Sequence, residues 1–419
     1  MKDNIIAGLD IGSTEIRLVI GQKINGLSGE ELQVIGAVAV PTSGVSRGVV
    51  NSIEETTSSI SACLEKAERL VGTPITSVSI SINDPFIRCE RSKGVVAVSK
   101  SDGEISEHDV ERAIEAAQAM SVPVNYETIH VMPIKFAVDG QEDIKDPIGM
   151  SGIRLEVEIL IIQGLGSQLK NLTKAIHRTG LEIENLVLSP LAAAEAVLST
   201  KQKELGVILV NLGSSTTSLA VYEERNLIHT AILPFGAEHI TADVALGLRC
   251  PINLAERIKR EYGSTLREGI DQEGEIDIRD LVREEEVNDD IETVSRKYIA
   301  QIIDARVEEI FEKIDHELKK IDRSGMLPAG VVFVGGGAYL ENLVETAKRK
   351  LRLPACVGTA RNIKTVIDRV TRPEFLTALG LLVWANRLES GPISNGNIKK
   401  NIGNLFGKAK GLLQKIIPK

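Results

Sequence analysis

Residues 8–22 read GLDIGSTEIRLVIGQ, and residues 209–223 read LVNLGSSTTSLAVYE. At one fixed offset Asn211 overlays Asp10, Gly213 overlays Gly12, Ser214 overlays Ser13 and Leu219 overlays Leu18. Each copy predicts a buried strand, a tight Gly-Ser turn and a second strand. Such a turn aims backbone N–H groups and small hydroxyls at one spot, which suits phosphate. A lone Gly-Ser turn ordinarily does no more than reverse the chain. Two copies in two halves of one chain imply a clamp, with nucleotide phosphates held between related domains.

A third segment, residues 330–338 (GVVFVGGGA), predicts a buried strand running into a triple glycine and then a helix. There the backbone can approach a ligand closely, and a helix N-terminus can face anionic or polar groups. The competing reading is a tight strand-to-helix turn with no ligand. The six histidines are isolated in sequence and none reads as a metal ligand. Cys63, Cys89, Cys250 and Cys356 show neither metal spacing nor the density of a secreted disulfide scaffold. They read as small buried apolar residues in a reducing cytoplasm.

Composition narrows the class. A length of 419 residues suits two to three domains, and 43% hydrophobic residues suffice for real cores. Aromatic residues are only 3%, which speaks against base or sugar stacking as a main activity. A net charge of -9 argues against general nucleic-acid binding. The N-terminus enters a strand almost at once, so no signal peptide is expected. No apolar run reaches the roughly 20 residues needed to cross a bilayer.

The elements that must position these motifs follow from periodicity. Residues 5–40 alternate as strands, 53–71 carry helical spacing, and 78–82 form another strand. Near Asn83-Asp84-Pro85 the texture changes. Residues 86–162 read as an inserted α+β block of strands around one helix. That helix starts near Ser106, with Glu107 and Asp109 in its first turn. A helix at 166–180 ends at Gly180, and a small-residue helix covers 191–198. Residues 237–262 are expected to be helical, 263–290 to be short strands and loops, and 291–322 to be one long helix. The acidic run at 284–286 reads as a solvated face. Residues 374–387 form a last apolar helix, and 389–398 (ESGPISNGNI) read as a flexible linker.

The tail stands apart. Ile402, Leu405, Phe406, Ala409, Leu412, Leu413, Ile416 and Ile417 follow helical spacing. Lys399, Lys400, Lys408, Lys410, Lys415 and Lys419 occupy the polar side, with no acidic residue between them. Gly403, Gly407 and Gly411 each cost about 1 kcal/mol of helix propensity. Such a segment should form a helix only on a surface that compensates that cost. A basic amphipathic helix behind a flexible linker in an acidic chain reads as an anchor on anionic membrane lipid. The alternative is a helix docked on the protein's own body.

The order of hairpin, insert, small-residue helix, second hairpin, charged excursion and VGGG turn resembles the actin and heat-shock-chaperone ATPase superfamily. Within it the chain resembles the FtsA family of bacterial cell-division proteins. The resemblance is carried by 138–158 (VDGQEDIKDPIGMSGIRLEVE), 47–54 (RGVVNSIE), 206–210 (GVILV) and 373–382 (PEFLTALGLL). It implies an α/β chain with an actin-like two-domain ATPase fold, an inserted α+β subdomain and a C-terminal amphipathic helix. The first actin-like domain would comprise 1–83 and 163–197, with the insert at 84–162. The second would comprise 198–227 and 312–388, with a nucleotide-side subdomain at 228–311. The linker would be 389–398 and the membrane-targeting helix 399–419.

By the same resemblance Asp10, Gly12, Ser13 and Thr14 form the first phosphate loop, and Gly213, Ser214 and Ser215 the second. Glu256, Lys259 and Arg260 match a helix that holds ribose and adenine, and their spacing puts them on one face. A solvated charged face is the other reading of those three. Gly335, Gly336 and Gly337 match the adenosine motif. The implied cofactors are ATP and Mg²⁺, with Asp10 acting on the metal through bound water. Asn211 stands where relatives often carry an aspartate, and Ser189 precedes Pro190 where many place an acid. Both departures predict ATP binding with slow or absent hydrolysis.

The function so implied is a polymerising cell-division protein, peripheral on the inner face of the cytoplasmic membrane at the division site. It would tether the FtsZ ring by the FtsZ C-terminal tail and meet other divisome proteins. Arg296, Lys297 and Arg306, on or near the long helix, are the candidate contacts for that acidic peptide. Two rivals remain: an FtsA-like pilus-assembly protein, which needs no lipid-binding helix, and a small-molecule kinase of the same superfamily. A kinase needs a carboxylate base that Asn211 and Ser189 do not supply, and it has no use for residues 399–419.

Overall fold

The computed structural model describes residues 5–389, apart from 27–28, 120–122, 268–273, 286–291, 362, 364 and 366. Of the linker and tail expected over 389–419, Glu389 ends a helix and residues 390–419 lie outside the described residues.

Two five-stranded sheets carry the two hairpins, and they have the same plan. In spatial order the first sheet is Glu182–Leu188, Ser77–Ile82, Ile5–Ile11, Glu15–Gly26 and Gly29–Pro41. The second is Ala355–Val357, Val331–Val334, Val207–Leu212, Thr217–Glu223 and Asn226–Leu233. In each, three consecutive strands form an antiparallel meander. Two further strands then join in parallel on the side of the first. The hairpin strands are buried on both faces, which explains their near-continuous runs of Val, Ile and Leu.

Helix Ile53–Val71 packs on the first sheet. Its start is set by Ser52, whose side chain accepts from Glu55 N, and its end by Gly72 at φ 74°. Helix Gly166–His177 lies beside it. The two sheets are joined by two helices, Ser189–Val197 and Leu376–Glu389. The first is buried at eight of its nine positions, including Ser189 and Pro190. A helix apolar all round belongs in an interior, and these two cross tightly at a glycine. A Cβ on Gly380 would lie 1.8 Å from Ala192 O. At the exposed end of the crossing, Glu195 takes ion pairs from Lys203 and Arg387.

Between strand Ser77–Ile82 and helix Gly166–His177 the chain makes an excursion. Strands Arg88–Ala97, Arg154–Leu165, Tyr126–Val138 and Gln141–Ile144 form an antiparallel sheet in that order. Helix Glu107–Gln118 crosses one face, its start fixed by a capping box between Ser106 and Asp109. The insert also touches the second sheet. Asn226 Nδ2 donates to Ile134 O at 2.9 Å, and Arg91 Nη2 donates to Ile228 O at 3.1 Å.

Several expectations need correction. The helix expected over 237–262 is two helices, Ala237–Leu248 and Ile252–Tyr262. Arg249 adopts φ 53° and Pro251 has no N–H to carry the first helix onward. The long helix runs Arg296–Lys319, because Thr293–Ser295 is a strand paired with Glu275–Asp277. A short helix, Arg279–Glu284, occupies part of the expected loop region. Of the acidic run, Glu284 and Glu285 pair with Arg257 at 2.6 and 3.6 Å rather than merely facing water. Cys63 is buried, but Cys89 and Cys250 are half-buried and Cys356 is exposed on an edge strand. His229, isolated in sequence, meets Glu317 in the fold, its Nε2 2.9 Å from Oε2.

Candidate functional site

The two Gly-Ser turns are built alike. Gly12 N donates to Glu15 O at 3.1 Å, and Gly213 N donates to Thr216 O at 2.9 Å. A Cβ on Gly12 would lie 2.7 Å from Glu15 O, and one on Gly213 would lie 2.9 Å from Thr216 O. Glycine is therefore required for the chain to turn this sharply. Strand registers also correspond, with Asp10 opposite Arg17 and Asn211 opposite Ser218.

At the first turn Asp10 is buried and its Oδ1 accepts from Ser81 Oγ at 2.6 Å. Burial pushes its carboxyl above the usual range, against the hydrogen bond from Ser81 and the charge of Arg17. Ser13 Oγ accepts from Gly48 N at 3.1 Å, while Thr14 is exposed at the tip. Arg17 was not among the expected site residues. Its Nη2 meets Glu15 Oε2 at 2.6 Å, its guanidinium lies 5.8 Å from the Phe375 ring centre, and its Nε is buried without a partner. The signal was its strand position: residues directly opposite in an antiparallel pair share a face, so Arg17 lies beside Asp10.

The second turn is held differently. Ser214 and Ser215 Oγ donate to Glu238 Oε2 at 3.3 and 2.7 Å. Ala237 N and Glu238 N donate to the carbonyls of Gly213 and Ser214. Glu238, also missed from sequence, stands in the first turn of helix Ala237–Leu248. The visible sign of it was an acid just after Gly236.

Behind it lies Lys259, only 5% exposed. Its Nζ donates to Glu256 Oε2 at 2.5 Å, Thr241 Oγ1 at 2.8 Å and Ala237 O at 3.3 Å. Burial lowers the Lys259 ammonium, and Glu256 opposes the shift. Arg260 is exposed, so the three residues expected to act together divide into a pair of buried Lys259 with half-buried Glu256 and an outward cation.

The triple glycine abuts the second hairpin. Gly335 has φ 86°, and a Cβ there would lie 2.3 Å from Asn211 Oδ1 and 2.6 Å from Leu212 O. A Cβ on Gly337 would strike the Leu212 side chain at 2.3 Å, whereas Gly336 faces open space. The glycines lead first into a 3-10 turn, Gly336–Tyr339, and the α-helix begins only at Leu343. Two of the three glycines thus serve packing, and Gly336 alone leaves backbone open to a ligand.

The connecting helices bring these parts together. Ser189 Oγ donates to Asn83 Oδ1 from the first half and lies 3.2 Å from Ser218 Oγ of the second hairpin. Asn211 Nδ2 donates to Thr377 Oγ1 at 3.2 Å. Gly8, in the first hairpin, packs so closely on the same helix that a Cβ would lie 2.4 Å from Ala378 O. Asp10 is the one carboxylate on the two hairpins' Asp/Asn positions. Among the described residues no group of three or more His, Cys, Asp or Glu could hold a metal by protein ligands alone. That donor set fits a Mg²⁺ ion that arrives on phosphate oxygens and meets the protein through water.

The candidate partner residues are less available than expected. Arg306 is engaged by Asp243 at 2.5 and 3.0 Å and by Glu309 at 2.6 Å. Arg296 pairs with Glu341 at 3.2 Å, and Lys297 is half-buried.

Two family models match the chain: "SHS2 domain inserted in FTSA" over residues 86–163 and "Cell division protein FtsA" over 208–380. The cell division protein FtsA of Bacillus subtilis (strain 168) is 34% identical over 386 residues, covering 92% of this chain and 84% of that protein. The FtsA of Pseudomonas aeruginosa is 32% identical over 391 residues, covering 93% and 91%. Among solved structures, a chain of the PilM-PilN type IV pilus biogenesis complex superposes with a TM-score of 0.64 at 16% identity, covering 90% of this chain and 98% of that one. MreB5 of Spiroplasma citri bound to ADP superposes with a TM-score of 0.53 at 12% identity, covering 96% and 99%. These likenesses establish an actin-like ATPase fold with an inserted SHS2 domain.

Proposed function

The chain belongs to the FtsA family of cell-division proteins, and from that premise we propose that it is an ATP-binding, polymerising tether between the FtsZ ring and the inner face of the cytoplasmic membrane. ATP with Mg²⁺ would lie between the two hairpins. The observation that supports this most is the duplicated turn: two glycine turns with the same closing hydrogen bond, on two sheets of the same plan, joined by one pair of crossing helices. Phosphates would take the turn N–H groups and hydroxyls of Ser13, Thr14, Ser214 and Ser215, while Gly12 and Gly213, whose own N–H groups close the turns, would let the backbone come close. Arg17 would offer its unpartnered Nε to the same charge. The glycosyl end would face the Glu256–Lys259 pair and the open backbone at Gly336.

Hydrolysis would be slow. Asn211 is an amide already donating to Thr377, so it cannot take a proton from water. Ser189 is likewise spent on Asn83 and is no base.

Membrane attachment falls to the tail, 399–419, and FtsZ docking to the region 228–311. One amphipathic helix binds weakly, but many on one filament bind tightly through effective concentration. Polymerisation and membrane binding would then be one event. Co-sedimentation with anionic and neutral liposomes in ATP tests this, comparing the full chain with one ending at Ser390. Pelleting of the full chain alone, with anionic lipid preferred, is expected. If both forms stay in solution, the tail is no anchor and the pilus-type reading, which needs no lipid helix, takes its place.

A further inference from the structure

The first phosphate turn is held from outside by the segment that follows the third strand of its sheet. Thr42 N donates to Thr14 O at 2.9 Å, and Gly48 N donates to Ser13 Oγ at 3.1 Å. Gly48 belongs to a small hairpin, in which Val45–Ser46 pairs with Val49–Val50 and Arg47 and Gly48 make the turn. Both turn residues have positive φ, 50° and 74°. That is type I′ geometry, in which Asn, Asp or Gly ordinarily comes first and an arginine is strained. The hairpin cannot slide to relieve the strain. A Cβ at Gly48 would lie 2.0 Å from Asn83 O, so only glycine fits the second place. Gly44 O accepts from Asn51 N and Ser52 N, which ties the base of the hairpin to the start of helix Ile53–Val71.

Arg47 is exposed, and no described residue pairs with its side chain, Glu54 and Glu55 of the nearby helix start included. Its backbone sits beside the phosphate turn. Arg47 Cα lies within about 5.5 Å of Ser13 Oγ, since the covalent chain adds only about 2.4 Å to the hydrogen bond from Gly48 N. An arginine side chain spans that gap with its guanidinium to spare. Ser13 Oγ accepts from Gly48 N, which leaves its own proton to donate, the polarity that a phosphate oxygen needs. The first hairpin is otherwise poor in free positive charge, because Arg17 shares its charge with Glu15 at 2.6 Å.

We propose that Arg47 is a further nucleotide-binding residue, whose guanidinium folds over Ser13 and pairs with the phosphate held by the first turn. The proposal rests on the ATP reading above. The planar fork of an arginine suits two phosphate oxygens at once. A strained arginine stands where asparagine would suit the backbone better, as is common where a site needs the side chain.

Calorimetry of Mg²⁺-ATP binding to the full chain tests it, together with thermal unfolding of the same proteins without nucleotide. Arg47→Asn removes the cation and gives the turn a residue that it prefers. Affinity should fall roughly tenfold while the unfolding midpoint holds or rises. Arg47→Lys, a point charge without the fork, should bind with an affinity between the two. The deficit of Arg47→Asn should narrow at raised salt. Equal affinity in the parent and Arg47→Asn would overturn the proposal and leave the ATP reading standing. A loss of affinity accompanied by a lower midpoint would overturn it too, because the arginine would then only hold the turn together. A parent that binds no Mg²⁺-ATP would instead remove the ATP reading, and the proposal with it.

Discussion

The first and second halves share a backbone plan and divide the electrostatics between them. In the first hairpin the charges are internal: Asp10 and Arg17 face each other across the strands. In the second the equivalent positions are the neutral Asn211 and Ser218. There the charges come from outside the hairpin, as Glu238 on the serines and the pair of buried Lys259 with Glu256 behind it. The halves also part where the fourth strand ends. Ser77–Ile82 runs through Asn83 and Asp84 into the inserted domain, whereas Val331–Val334 runs into the triple glycine against Asn211. A repeated turn conserves geometry, which needs only glycine and backbone. Its chemistry is free to diverge.

The most severe way to break the comparison is at the element both halves share. Gly380→Val would drive a side chain into Ala192 O, where even a Cβ has only 1.8 Å. Thermal or urea unfolding should show a loss of about 3 kcal/mol, with both halves affected together. Next comes the charge asymmetry. Arg17→Ala should weaken ATP binding by about 2 kcal/mol, since it removes a cation beside the phosphates. Ser218→Ala, at the matching place, should cost at most about 1 kcal/mol, and calorimetry of the two variants measures the contrast. Asn211→Asp makes the second hairpin resemble the first. Phosphate-release assays should show ATP turnover rising on the order of tenfold, as a carboxylate replaces the amide. Glu238→Gln keeps a hydrogen-bond acceptor for Ser215 but removes a negative charge from the loop. Affinity for ATP should rise by roughly threefold, an effect that shrinks with added salt.

The smallest expected effect is in pH dependence. The folded-state pKa of Asp10 is raised above its ordinary 3.8, chiefly by burial. The folded protein therefore takes up that proton before the unfolded chain does. The resulting stabilisation is full below the unfolded value and is lost as pH rises through the folded one. Asp10→Asn lacks this term, so its stability relative to the parent should improve as pH rises through that window. Asn211 does not titrate, and the second hairpin should add no such slope.

The duplicated hairpin was legible because it is local: strand, turn and strand lie within fifteen residues and repeat at one offset. Helix Ile53–Val71 and the capped helix at Ser106 were legible for the same reason, each marked by its own cap and stripe. The duplication of the whole five-stranded sheet was hidden, because the insert separates Ser77–Ile82 from the next helix of the first half. The break at Arg249-Cys250-Pro251 was written in the proline, but the apolar pattern on either side masked it. The burial of Lys259 could not be read locally. It follows from helix Ile252–Tyr262 packing on Ala237 and Thr241, which a charged amphipathic stripe does not disclose. Glu238 was missed because it reaches its turn from a neighbouring helix, outside the motif, and Arg17 because it lies on the second strand of the hairpin, away from the Gly-Ser turn on which the reading rested.

The central claim is that one nucleotide is held by both turns at once. It is tested by the binding of Mg²⁺-ATP to the parent, to Thr14→Asp, to Ser214→Asp and to the double variant. Each places a negative charge on one turn without touching its glycine. The account predicts that either single change lowers affinity at least about tenfold and that the double loses clearly less than the sum of the two, as for one shared ligand. Undiminished binding in either single variant would contradict it.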